Sequence, residues 1–189
     1  MLEVIEVKDT LYSTIESIGK EKIRSDVTSN IKLSQKYIDI IMCECISKLA
    51  QIDSNANNNE EIIATLSEAL LHFMLTVCTL PSERKIHVDR LTLDVVIPNL
   101  QTLKRKPGRS IIVQIIKDKK DFHEVSQLEL LQPNYKNIWL LCVKPLSVKK
   151  YTIYGVFTNT DIYNSYSKMI IDINDFLEEA GDKSFRFVH

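Results

Sequence analysis

Glycine and proline are scarce in this chain, at four and five residues of 189. That scarcity argues against collagen-type repeats, loop-rich scaffolds and disordered composition. The few glycines are also scattered, so there is no phosphate loop or dinucleotide fingerprint. No apolar run reaches the roughly 18 residues of a spanning helix, so no membrane partner is expected. The opening MLEVIEVKDT is acidic and lacks a basic stretch followed by an apolar one, which predicts no signal peptide. Together these absences predict a soluble, cytoplasmic protein. Neither sign of charge dominates: 24 Lys and Arg stand against 25 Asp and Glu, for a net charge of −1. The total therefore gives no hint of a nucleic-acid partner. The cysteines are Cys43, Cys45, Cys78 and Cys142, and the Cys-x-Cys pair has no nearby His to complete a zinc set. All four lie in apolar segments and are expected to be buried thiols. HxH, HExxH and GxSxG patterns are missing, which removes zinc hydrolysis and serine nucleophiles from consideration.

What is present is enough apolar material for a core, 44% of the residues. Residues 1–52 read as helical. One stripe runs through Leu11, Ile15, Ile18 and Ile23, and a clearer one through Ile38, Ile41, Cys45, Leu49 and Ile52. The Asn-rich DSNANNNEE at 53–61 is the best linker candidate. It divides an N-terminal helical region, 1–55, from an α/β domain, 60–189. A further helical pattern runs from Glu60 to Leu80 and stops at Pro81. Beyond it the chain turns β-branched. One or two strands are expected between Lys85 and Ile97, then a turn over 103–110 with Pro107-Gly108 at its tip. Further strands are expected at 110–117, 137–143 and 151–157, and a last short one at Met169 to Ile173. Helices are expected from Phe122 to Leu131 and near Asp175 to Ala180. A helix between two buried strands implies a crossover and a mixed sheet flanked by helices.

Two polar residues stand out by position. Asp94 sits inside the apolar LDVVI, and Gln114 inside the still more apolar IIVQII. A carboxylate buried in a strand costs several kcal/mol unless it is paired or binds a metal. This stretch, LDVVIPN followed by SIIVQIIKDKKDFHEVSQLELLQPNYKNIWLLCVKP, resembles the PD-(D/E)xK nuclease superfamily. It is most similar to archaeal Holliday-junction resolvases and restriction-type nucleases, over about residues 60–157. The resemblance implies a restriction-endonuclease-like α/β fold. It also implies Mg2+ as cofactor, with Asp94 as the strand aspartate, Gln114 in place of the second acidic residue and Glu68 as the helix glutamate. In such a site, carboxylates hold the ion through oxygen ligands, and a lysine two residues beyond the second ligand serves the reacting phosphate. The chain departs from the pattern twice. Gln114 is neutral, and the lysine position is Ile116. Lys117 and Lys119 have the opposite parity along a strand, and Lys120 lies too far along it. Lys117 is the candidate catalytic cation provided a bulge re-aims it.

Charge distribution points to nucleic acid where the total does not. Residues 84–120 carry ten Lys and Arg against three Asp, a surplus of seven; the flanking Glu83 and Asp121 reduce it to five. Lys104, Arg105, Lys106, Arg109, Lys119 and Lys120 are the candidate phosphate contacts, with DNA the expected partner. The leading expectation is a nucleic-acid-binding, nuclease-like protein, weak or inactive as a metal-dependent endonuclease. The alternative is a non-catalytic interaction protein that uses the same fold as a scaffold and its N-terminal helices to form a homodimer.

Overall fold

The computed structural model describes residues 4–56, 59–118, 121–146, 148–157 and 163–181. The chain forms two compact units. One is Met1–Thr79 with Ser167–Ile171, and the other is Leu80–Tyr166 with Asp172–His189.

The first unit is helical: α1 (Val4–Ile18), α2 (Lys20–Ser29), α3 (Leu33–Ile52) and α4 (Glu60–Val77). Apolar side chains at helical spacing build its core. Val7, Leu11 and Ile15 of α1 are buried, as are Ile38, Ile41, Cys45 and Leu49 of α3. The α3 stripe ends a turn earlier than its sequence suggests, since Ile52 is 64% exposed. Gly19 separates α1 from α2 at φ 101°, a conformation that strains any residue with a Cβ. Lys48 of α3 donates to Thr14 Oγ1 of α1 at 2.9 Å. Asn59 opens α4 by accepting from the N–H groups of Glu61 and Ile62, the usual role of an Asn N-cap. Helix α4 packs with α1 and α3.

The second unit is built on one six-stranded sheet: β1 (Glu83–Val88), β2 (Leu91–Ile97), β3 (Ile111–Ile116), β4 (Ile138–Cys142), β5 (Thr152–Gly155) and β6 (Asn164–Ser165). The strands lie in sequence order. The pairs β1–β2 and β2–β3 are antiparallel, and the remaining three pairs are parallel. Helix α6 (Phe122–Leu128) makes the crossover from β3 to β4. Its Val125 and Leu128 pack with Ile112, Ile116, Leu140 and Cys142 on one face of the sheet. Towards the other end of the unit, Trp139 meets Tyr154 and Phe176 with ring centroids 5.2 and 6.4 Å apart.

Three expectations are corrected here. The segment 103–110 is not a simple turn. It comprises the end of α5 (Leu100–Arg105) and a 3-10 turn at Pro107–Arg109, because Asn99 caps α5 by accepting from the N–H of Thr102 at 2.8 Å. Met169–Ile173 is not a strand but the start of α7 (Met169–Glu179). Met169, Ile170, Ile173 and Leu177 are buried at helical spacing, and a short apolar run does not reveal its period by itself. Cys43 is exposed, whereas Cys45, Cys78 and Cys142 are buried. Among the described residues no helix is long and apolar enough to cross a membrane.

Candidate functional site

The polar centre begins with a tight hairpin. Val88 pairs with Leu91, so only Asp89 and Arg90 form the turn, and Asp89 takes φ 52°. That register sets Lys85 opposite Asp94. On the other side of β2, Val95 pairs with Val113, which sets Asp94 opposite Gln114. Three polar residues from three strands therefore form one row.

The β2–β3 ladder stops at Val95 and Val113, and side chains take over beyond it. Asp94 Oδ2 accepts from the N–H of Ile115 at 2.8 Å. Gln114 Oε1 accepts from the N–H of Asp94 at 3.3 Å, and its Nε2 donates to the Thr92 carbonyl at 3.4 Å. The two side chains thus bridge the fork by serving each other's backbone, where unpaired amides would otherwise carry a desolvation cost. Asp94 Oδ1 accepts from Lys85 Nζ at 2.8 Å. Asp94 is only 8% exposed, so this pair answers the question its burial raised in the sequence. Lys85 holds φ 50° inside a strand, a conformation that costs on the order of 1–3 kcal/mol for a non-glycine residue.

This arrangement does not fit a two-carboxylate Mg2+ site. Mg2+ needs oxygen ligands at about 2.1 Å in near-octahedral order. At the fork there is one carboxylate, both of whose oxygens are engaged, and one neutral amide oxygen, also engaged. Among the described residues no group of three or more His, Cys, Asp or Glu could hold a metal. Glu68 is half-buried on α4, in the first unit, while Asp94 and Gln114 belong to the second.

The lysine position of the resemblance is closed. Ile116 is 2% exposed and packs with Val125 and Leu128. The register of β3 against β4 is continuous from Ile112–Ile138 to Ile116–Cys142, so the paired strand has no bulge. Lys117 follows the last paired residue, and its N–H donates to Asp121 Oδ2 at 2.9 Å. Lys119 and Lys120 lie outside the described residues.

The basic segment is firmly anchored. Lys104, Arg105, Lys106 and Arg109 are all exposed, while Leu103 and Ser110 between and beside them are buried. Lys104 and Arg105 occupy the last turn of α5, where cations complement the helix dipole. Gln132, fully buried, donates from Nε2 to the carbonyls of Pro107 and Ser110, both at 2.8 Å. Asn137 Nδ2 donates to the Gly108 carbonyl at 3.3 Å. Four cations are thus displayed on a shaped surface rather than on a loose loop.

No protein-family model matches the chain, and no curated protein is similar to it in sequence. Solved structures are similar to it. Metal-depleted Ecl18kI in complex with uncleaved, modified DNA aligns at TM-score 0.63 and 11% identity, over 95% of this chain and 81% of that one. The complex of restriction endonuclease PspGI with substrate DNA aligns at TM-score 0.57 and 11% identity, over 92% and 93%. The fold is restriction-endonuclease-like. A restriction-endonuclease-like fold is what the PD-(D/E)xK resemblance implied, and the mixed sheet with its β3–α6–β4 crossover carries it here.

Sequence reasoning missed two residues of the site. Lys85 was counted only as a surface charge. Its partner was calculable, because a two-residue turn at Asp89-Arg90 pairs position 85 with position 94. Gln132 follows the short helix α6 and precedes Pro133, with nothing in its local pattern to mark burial. Its role depends on contacts 22 and 25 residues away.

Proposed function

We propose that this chain is a nucleic-acid-binding protein of nuclease-like fold, with DNA as its partner, whose metal-dependent cleavage is weak or lost. The observation that carries the binding half is the anchored display of Lys104, Arg105, Lys106 and Arg109. Fixed cations neutralise backbone phosphates without an ordering cost at the moment of binding. That similar folds have been solved on DNA supports the same reading. Lys119 and Lys120 extend the basic surface in this reading. The second half draws on the engaged carboxylate of Asp94, the neutral Gln114 and the apolar Ile116. Asp94, Gln114 and Glu68 are then what is left of a Mg2+ ligand set, and Lys117 is a strand-end cation outside the paired strand.

Binding of a labelled duplex or branched DNA at low salt tests the proposal. Replacing the four cations of 104–109 by Ala should weaken binding several-fold and flatten its salt dependence. A wild-type protein that ignores DNA and RNA even at about 50 mM salt would refute the reading. A second reading, in which the N-terminal helices form a homodimer, draws on the exposed Ile5 and Tyr12. These lie seven residues apart on α1 and are 66% and 56% exposed. Mass measurement by light scattering, with Ile5→Asp as the comparison, decides that point.

A further inference from the structure

We propose that the Lys85 ammonium is the permanent cation of the Asp94 centre, standing where a divalent ion would otherwise bind and offering itself to a DNA phosphate. The metal half stands on the geometry alone. The phosphate half rests on the DNA-binding reading above.

The geometry begins with charge. Lys85 Nζ lies 2.8 Å from Asp94 Oδ1, and Asp94 is the single carboxylate of the row formed with Lys85 and Gln114. An ammonium at that distance neutralises the charge that would draw a cation, and a divalent ion on the same oxygen would meet strong like-charge repulsion. The second oxygen, Oδ2, is turned to the backbone of β3. Gln114 cannot compensate, because it is neutral and its amide is committed to β2.

The two partners are not buried alike. The Lys85 side chain is 47% exposed and that of Asp94 is 11% exposed. The carboxylate is therefore a fixed anchor, and the ammonium faces solvent with donors to spare: an ammonium has three, and Asp94 Oδ1 uses one. A phosphate oxygen is the matching acceptor. The backbone adds a separate observation. Lys85 keeps a left-handed conformation in the middle of β1. Strain of that kind persists where the surroundings over-determine it, often at functional positions.

The test measures Mn2+ binding by electron paramagnetic resonance on wild type, Asp94→Asn, Lys85→Met and the double variant. Wild type should bind no Mn2+ that Asp94→Asn removes. Lys85→Met should gain an Mn2+ site at least about tenfold tighter than any in wild type, a change of about 1.4 kcal/mol, and the double variant should lose it. DNA binding supplies the second readout. Wild-type affinity should be the same in EDTA and in Mn2+. Lys85→Met should bind DNA several-fold more weakly in EDTA and recover part of the loss in Mn2+, as the ion takes over from the ammonium. Circular dichroism checks that each variant folds; should Lys85→Met not fold, Lys85→Gln, which keeps a donor for Oδ1, carries the same comparison. Mn2+ binding by wild type that Asp94→Asn abolishes overturns the proposal, and so does a Lys85 variant that gains no ion. Absence of DNA binding by wild type would instead strike the DNA reading and the phosphate half, leaving the metal half to the resonance data.

Discussion

At the scale of single residues, Asp94 joins three elements through two oxygens. Its Oδ2 contact with the N–H of Ile115 is buried, while its Oδ1 contact is with a half-exposed lysine. The two contacts therefore differ in worth. Leaving a buried N–H without a partner costs about 1–3 kcal/mol. Losing an ion pair whose cation is solvated costs about 1 kcal/mol or less. Asp94→Ala should thus destabilise more than Asp94→Asn, which keeps an acceptor for Ile115. Urea titrations of the two variants measure the difference, and equal losses would show that the backbone contact contributes nothing. A harsher result is expected at Ile116. The family pattern asks for lysine there, but the side chain is 2% exposed and faces Val125 and Leu128. Ile116→Lys should cost several kcal/mol, because an ammonium buried without a partner must either be neutralised or force the packing apart. The failure of Ile116→Lys to lower the urea midpoint would mean that the α6 face opens readily.

At the scale of elements, the anchoring of the basic segment can be separated from its charge. Gln132 donates to two carbonyls of the 107–110 stretch from a fully buried position. Gln132→Leu keeps the net charge and a similar volume but leaves both acceptors unpaired, at about 1–3 kcal/mol each. DNA affinity should fall in this variant with its salt slope unchanged, since the number of cations is the same. The four-alanine variant of 104–109 should instead lower the slope. The same region shows what could be read from the sequence and what could not. The strands at 111–116 and 138–142 were legible because apolar β-branched runs bounded by turn residues admit few other readings. The helical end of α5 was not, because Lys-Arg-Lys-Pro-Gly-Arg reads locally as a turn and the Asn99 cap that favours helix lies four residues before Leu103. The α7 start was misread because Met169, Ile170, Ile171 and Ile173 suit either period over five residues. At the polar centre, Asp94 and Gln114 were conspicuous because polarity inside an apolar strand is costly. Lys85 was not conspicuous, since a lysine near a hairpin is ordinary until the register of the hairpin is known.

At the scale of the whole molecule, burial of acidic protons ties stability to alkaline pH. Burial pushes the Cys142 thiol up from 9.0 to about 12. It also pushes the Tyr151 phenol up from 10.0 to about 12, with the Glu129 carboxylate that accepts its hydrogen bond adding to the shift. Tyr154 and Tyr166 are raised as well, both chiefly by burial and Tyr154 further by Asp172. In each case the folded chain holds its proton more tightly than the unfolded chain does. The unfolded state therefore loses protons first as pH rises, and each proton lost favours unfolding. The contribution of Cys142 is intact below 9.0 and is lost on the way to about 12, and that of Tyr151 is intact below 10.0 and lost over the interval up to about 12. Thermal midpoints should accordingly hold steady up to about pH 8.5 and then fall progressively through about pH 11. Tyr151→Phe keeps the ring against Phe122, 6.1 Å away, but removes the ionising group. Its midpoint should fall less steeply than that of wild type over the same range, even if its midpoint at neutral pH is lower for want of the bond to Glu129. A wild-type midpoint that stays flat through about pH 11 would mean that these side chains ionise as easily in the folded chain as in the unfolded one, which is incompatible with the sheet packing that buries them.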